Sequence, residues 1–223
     1  MEESLMRDPE HTIYTPASSE ALKKLRVGET AYLTGLVHTV RDSGYERLLN
    51  LTSKGEVPPV DFKGMAIWHC GPIVRKIGDK WVVVAAGSTT SSRFTSAVAE
   101  VVKRLKVKVV IGKGPMGGEA VEALASEGGV YLASTGGTGA YYASKIEAIE
   151  SVHWTDLGMP AALWSMKVKK LGPLIVAVDG EGRDLFKDRR YMVDERARLL
   201  FKELGVDPSH SYVWWPRRQG FKK

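Results

Sequence analysis

Val107-Lys108-Val109-Val110-Ile111-Gly112-Lys113-Gly114-Pro115-Met116-Gly117-Gly118-Glu119-Ala120-Val121-Glu122-Ala123-Leu124-Ala125-Ser126-Glu127-Gly128-Gly129-Val130-Tyr131-Leu132-Ala133 is the stretch that decides the fold. It opens on a β-branched run at 107–111, breaks at glycines, shows helical spacing of apolar residues over 118–126, and returns to a short apolar run at 130–133. A strand, a crossover helix and a second strand follow from these changes of period. Upstream, residues 91–105 again repeat their apolar positions at helical spacing. Such alternation predicts an α/β chain with a central parallel sheet and crossover helices.

Further out, residues 20–25 read as a short helix ending near Gly28, 30–40 as a strand, and 42–51 as a polar helix with Arg41 at the junction. Residues 65–69 read as a buried strand. The run 81–86, also expected to be buried, pairs with 73–77 through Gly78-Asp79-Lys80 in a hairpin. Residues 141–152 are predicted as a helix, 163–168 and 174–178 as two strands, and 193–204 as a charged helix. No internal repeat or low-complexity linker interrupts the chain. The expected organisation is an N-terminal arm at 1–19, one domain over 20–205, and a basic, aromatic C-terminal tail at 206–223.

With 223 residues, 43% of them hydrophobic, the chain has enough apolar material for a packed core. Its longest apolar runs fall far short of the roughly 20 residues a membrane span needs. The N-terminus lacks a signal peptide's pattern, so a cytoplasmic location is expected, with no membrane association. One cysteine, Cys70, excludes an internal disulfide and a thiolate-held zinc or iron–sulfur site built by this chain alone. The formal net charge of +6 favours acidic ligands without naming one. The cationic and aromatic tail could stack on nucleic acid, but so short a segment more often docks or stays unordered, and no nucleic-acid partner is expected.

Three turns concentrate the chemistry: Gly87-Ser88-Thr89-Thr90-Ser91-Ser92-Arg93, Gly112-Lys113-Gly114-Pro115-Met116-Gly117-Gly118, and Ser134-Thr135-Gly136-Gly137-Thr138-Gly139. Each follows an apolar run and precedes an amphipathic one, the place where unpaired backbone N–H groups meet the positive end of a helix. Arg93 and Lys113 lie within two of them, so the site is expected to hold an anion. Gly112-x-Gly114-x-x-Gly117 also matches the dinucleotide fingerprint. That reading lacks its acidic residue, because the next strand ends Ala133-Ser134-Thr135, and Pro115 removes an N–H. Four consecutive hydroxyls at 89–92 exceed what a helix cap requires, and an arginine one turn on adds a fork suited to a carboxylate. Arg41-Asp42 reads by itself as an exposed ion pair of little worth. The histidines, His38, His69 and His153 among them, show no ligand spacing and read as surface or satisfied core residues.

Thr15-Pro16, Leu25-Arg26-Val27-Gly28-Glu29, Leu33-Thr34-Gly35, Arg41-Asp42, Cys70-Gly71-Pro72, the 87–93 turn, Gly112-Lys113-Gly114, Gly136-Gly137 and Leu157-Gly158-Met159-Pro160 follow one another in this order. In these blocks, from Thr15 to Phe186, the chain resembles the β subunit of class I fumarate hydratases and L-tartrate dehydratases. The resemblance implies a three-layer swivelling β/β/α domain that pairs with an α subunit carrying a [4Fe–4S] cluster, in an assembly of two of each subunit. This chain would hold no cofactor alone and would act on a small dicarboxylate. The implied activity is reversible hydration of fumarate to (S)-malate, with L-tartrate dehydration, or a non-catalytic anion-binding module of the same fold, as alternatives.

Carried over by resemblance, Arg41, Arg93 and Lys113 are the carboxylate-binding cations, joined by Thr90, and Thr89 is the base at the carbon that loses a proton. Fixed positive charge suits this chemistry, because the dianionic intermediate gains more from it than the ground state does. The family often has a histidine shortly after its Arg-Asp pair, where this chain reads Ser43-Gly44-Tyr45, and often Gly-Gly-Met where this chain reads Gly114-Pro115-Met116. Both departures bear on the choice of substrate.

Overall fold

Residues that alternate sides with period two build the central sheet, and the computed structural model describes the chain over residues 10–207. Two compact units divide it, one ending at Phe186 and one beginning at Lys187. In the first, β1 (Glu10–Tyr14), α1 (Ser19–Leu22), β2 (Thr30–Thr39), α2 (Asp42–Ser53) and β3 (Ala66–Trp68) precede a hairpin of β4 (Ile73–Ile77) and β5 (Lys80–Ala85). A 3₁₀ turn at Ser91–Phe94 leads into α3 (Thr95–Leu105), followed by β6 (Val109–Gly112), α4 (Gly118–Ser126) and β7 (Val130–Ala133). Then come α5 (Gly139–Ala143), β8 (Ile146–His153), β9 (Leu163–Val178) and α6 (Leu185–Glu203), whose later part belongs to the second unit.

The main sheet is mixed and mostly parallel, with seven strands in the order β1-β2-β3-β6-β7-β9-β8. Ala66, Val109 and Val130 stand in one row across β3, β6 and β7, and Ile67, Val110 and Tyr131 in the next. The two rows face opposite ways. Ala66, Trp68, Val109, Ile111, Val130 and Leu132 enter one core cluster, while Ile67, Val110 and Tyr131 enter a second that also takes up Val98, Val101 and Val102 of α3 and Leu124 of α4. Burial on both faces accounts for the unbroken β-branched runs of these strands, at about 1.5–3 kcal/mol for each large apolar side chain removed from water. Strand β9 runs antiparallel to β7 and also to β2, so β2, β3, β6, β7 and β9 close into a ring around the first cluster.

Several sequence expectations need correction. Residues 141–152 form the short helix α5 and then β8, paired antiparallel with β9. Register shifts between Ile146/Ala148 and Ile149/Ser151 bulge β8, so the side chains packed on the core, Ile146, Ile149 and Val152, recur every third residue and imitate a helix. The two strands expected at 163–168 and 174–178 are one, β9, which passes through Lys170 (φ 50°) and Gly172 (φ 158°) without leaving the sheet. β5 is not buried: Trp81, Val82 and Val84 are exposed, because the hairpin forms its own two-stranded sheet. The segment expected as an arm contains β1, parallel to β2. The charged helix begins earlier than predicted, at Leu185. The expected tail lies, from residue 208 on, outside the described residues, as do residues 1–9. Among the described residues no helix is long and apolar enough to cross a membrane.

Candidate functional site

Parallel register brings the carboxyl ends of β3, β6 and β7 side by side, and the loops leaving them meet there. Chain stitching holds the meeting point together. Cys70 bridges to Ser88 and Thr90 to Lys113. The Thr89 N–H donates to the His69 carbonyl at 2.6 Å, the Lys113 N–H to Thr89 O at 3.2 Å, and the Ser91 N–H to Lys113 O at 3.0 Å. The Ser134 N–H reaches Gly112 O at 2.7 Å, which docks the third turn on the second. These four amides are therefore committed to the backbone, and side-chain cations stand beside them.

All five residues singled out in the sequence come to this place through two links. Thr89, Thr90 and Lys113 are half-buried neighbours across the bridge. Arg41 and Arg93 share one carboxylate: Arg41 Nε donates to Asp42 Oδ2 at 2.6 Å, and Arg93 Nη2 to Asp42 Oδ1 at 2.5 Å. Neither guanidinium makes another hydrogen bond among the described residues, so most of each fork remains open. Lys113 has no ion-pair partner among them either. Half-exposed ion pairs add about 0–1 kcal/mol of stability, while Asp42 sits at φ 32°, outside the comfortable range of an L-residue. The arrangement is thus explained better by what it can hold than by what it adds to folding. Gly71 belongs to it too, since a Cβ there would stand 2.6 Å from Arg41 Nη1.

Beneath these groups runs a buried polar chain that sequence reasoning missed. Tyr45 Oη lies 2.8 Å from His69 Nε2, and His69 Nδ1 lies 2.8 Å from Ser91 Oγ. Tyr131 Oη is 3.0 Å from Ser91 Oγ and 2.8 Å from the Gly114 carbonyl. A carbonyl only accepts, so the chain has one direction: Tyr131 donates to Gly114 O, Ser91 to Tyr131, His69 Nδ1–H to Ser91, and Tyr45 to His69 Nε2. Burial pushes the His69 imidazole down to about 3 and raises both phenols, which keeps every member uncharged. A second set, Trp68 Nε1–H to Ser88 Oγ at 2.7 Å and Ser134 Oγ to Ser88 Oγ at 2.5 Å, joins the first and third turns. The reading of His38 as a satisfied core histidine agrees with its contacts to Ser165 Oγ and Asp61 O, and burial pushes it down to about 4.

Cys70 is buried beside the site and burial raises its thiol, and no group of three His, Cys, Asp or Glu among the described residues could hold a metal. What is assembled is a set of cations and hydroxyls at an open surface, suited to carboxylates. The sequence model of the fumarase C-terminus matches residues 6–189. The chain is 42% identical over 190 residues to the L(+)-tartrate dehydratase subunit beta of Escherichia coli K12, covering 85% of this chain and 93% of that protein. It is 35% identical over 188 residues to the putative L(+)-tartrate dehydratase subunit beta of Methanocaldococcus jannaschii, covering 84% and 96%. With a putative class I fumarate hydratase of Geobacillus stearothermophilus it shares 36% over 178 residues, 79% of this chain but 34% of that longer protein.

Proposed function

The chain belongs to the fumarase C-terminus family, and from that premise we propose that it is the β-type half of a two-subunit hydro-lyase acting on a C4 dicarboxylate, fumarate and (S)-malate being the first pair. The observation that carries this reading is the convergence of Arg41 and Arg93 on one carboxylate, with Lys113, which has no ion-pair partner among the described residues, bridged to Thr90. A substrate carboxylate has the same charge and the same two oxygens as Asp42, so the open sides of the two forks can take it. Lys113 then serves the other end. Held this way, the dicarboxylate gains fixed positive charge where negative charge grows as the carbon loses its proton.

Thr89 accepts that proton in this reading. An aliphatic hydroxyl is a weak base, and it needs a positive field to act. Arg93, one turn further along, and Lys113, hydrogen-bonded through its backbone to Thr89, supply it. The partner, of the fumarase α type, supplies the general acid and a [4Fe–4S] cluster, whose iron gives Lewis-acid help to the departing or arriving oxygen. This chain's own part is to bind, orient and deprotonate. An assembly of two subunits of each kind, the three-layer swivelling domain and a cytoplasmic setting belong to the same proposal. L-Tartrate is the second reading, favoured by the resemblance to tartrate dehydratase β subunits along nearly their whole length.

An anaerobic hydratase assay tests this, comparing the chain alone, its candidate partner alone and the reconstituted pair on fumarate and L-tartrate in parallel. Turnover only in the pair is expected, with the faster substrate naming the enzyme. A formed complex with an intact cluster and no turnover of either substrate would defeat the reading.

A further inference from the structure

The candidate residues come from three places in the chain, Arg41, the 89–93 turn and Lys113, and one buried side chain touches or adjoins them all. His69 directly follows β3. Its carbonyl holds the Thr89 N–H, its Nδ1 holds Ser91, and its Nε2 meets Tyr45, one helical turn after Asp42 on α2. Through Ser91 and Tyr131 the same chain reaches Gly114 O, next to Lys113. Its ring stacks edgewise on Phe94, with centroids 4.9 Å apart, directly behind Arg93. A Cβ at Gly112 would fall 1.9 Å from Ser91 Oγ and 2.9 Å from His69 Nδ1, so the contact fills all the space available.

We propose that His69 is a positioning residue, whose imidazole, bonded to Tyr45 on one side and Ser91 on the other, sets where Arg41 and Asp42 stand relative to Thr89 and Arg93. This rests on the proposed function above. The direction of the hydrogen-bond chain makes the imidazole specific: Ser91 needs a donor and Tyr45 an acceptor, in the same plane, on opposite edges of one ring. Displacement of one segment by about 1 Å is enough to cost on the order of 100-fold in turnover when reacting groups must be aligned.

The experiment uses the chain assembled with its partner. His69→Leu removes both bonds, His69→Asn keeps an amide N–H where Nδ1 meets Ser91, and His69→Gln keeps an amide oxygen where Nε2 meets Tyr45. Per assembled complex, His69→Leu is expected to lose on the order of 100-fold in kcat/KM, chiefly in kcat, with His69→Asn recovering at least about 10-fold of it. Wild-type kcat/KM in assembled His69→Leu, or equal losses in His69→Leu and His69→Asn, would overturn the proposal. Should His69→Leu fail to assemble, Tyr45→Phe removes one bond at nearly constant volume, and unchanged turnover there would overturn it as well. A crystal structure of Tyr45→Phe gives a readout that needs no activity: the contact between Arg93 and Asp42 is expected to open, and an unchanged contact would refute the proposal. Wild-type inactivity on both dicarboxylates would instead sink the functional reading, leaving that structural comparison to decide the role of His69.

Discussion

The β4–β5 hairpin and the turn that follows it are consecutive in the chain and treat polarity in opposite ways. In the hairpin Ile73, Ile77, Trp81, Val82 and Val84 are exposed, whereas a few residues on Ser88 and Ser91 are buried with His69 and Tyr131. The difference teaches that polarity alone does not place a residue. Buried hydroxyls are tolerated where each has a partner, since an orphan would cost about 1–3 kcal/mol. The apolar side chains on the hairpin's outer face stay out because two strands cannot enclose a core between them. One side of the hairpin does find cover: Val74 is buried in the first core cluster, Val83 packs against it, and Trp81 lies against Trp164 at 5.5 Å between ring centroids.

The largest expected effect lies on the polar side. With the partner present, Thr89→Val and Arg93→Ala should each lower turnover by about 100-fold or more while the complex still forms, as read by steady-state rates and size-exclusion chromatography. Near-normal rates in both would break the comparison, leaving the buried polar set as structure alone. Next in size, Gly112→Ala should destabilise the chain by about 1–3 kcal/mol in urea unfolding, because the new methyl collides with Ser91 and His69. A loss under about 0.5 kcal/mol would mean that the buried chain can shift aside.

Acid should act through the same buried groups. The folded chain holds His69 at about 3 and His38 at about 4, against about 6.5 when unfolded. Between these values the unfolded chain takes up protons that the folded chain refuses. Stability is therefore full above about pH 6.5 and falls as the pH drops, by about 1.4 kcal/mol per unit for each histidine. Urea midpoints of wild type and His69→Asn measured from pH 7.5 to 4.5 should diverge in slope by about one proton. Parallel curves would show that His69 titrates normally. Smallest of all, Val82→Thr and Val84→Thr on the hairpin should change the unfolding free energy of the isolated chain by no more than about 0.5 kcal/mol. A larger loss would show that these exposed side chains are covered in solution.

Residue type and position in turns singled out Arg93, Lys113 and the hydroxyls at 89–92, whereas Arg41, by itself an exposed ion pair, entered through the family resemblance; the structure brings these residues to the carboxyl ends of β3, β6 and β7. Nothing in the spacing of Asp42, His69, Ser91 and Tyr131 connects them, so the sequence reads His69 as a surface or satisfied core histidine and gives no sign of the network. Asp42 looked like the partner of Arg41 alone, whereas its other oxygen is held by Arg93, 51 residues away. Ser91 read as one hydroxyl among four, and only its place over Gly112 makes it different from Ser92.

Local periodicity determined the α/β class and the alternating strands and helices at the centre of the chain. The runs at 107–111, 118–126 and 130–133 change period where strand gives way to helix and helix to strand, and the structure has β6, α4 and β7 there. The tertiary structure decided the rest: the bulged β8, the uninterrupted β9, the ring closed by β9 on β2, and the line of hydroxyls through His69. A bulge, a closing strand and a shared proton chain each depend on atoms that another part of the chain brings up. Their signal is a contact across long sequence separation, which no pattern confined to neighbouring residues can contain.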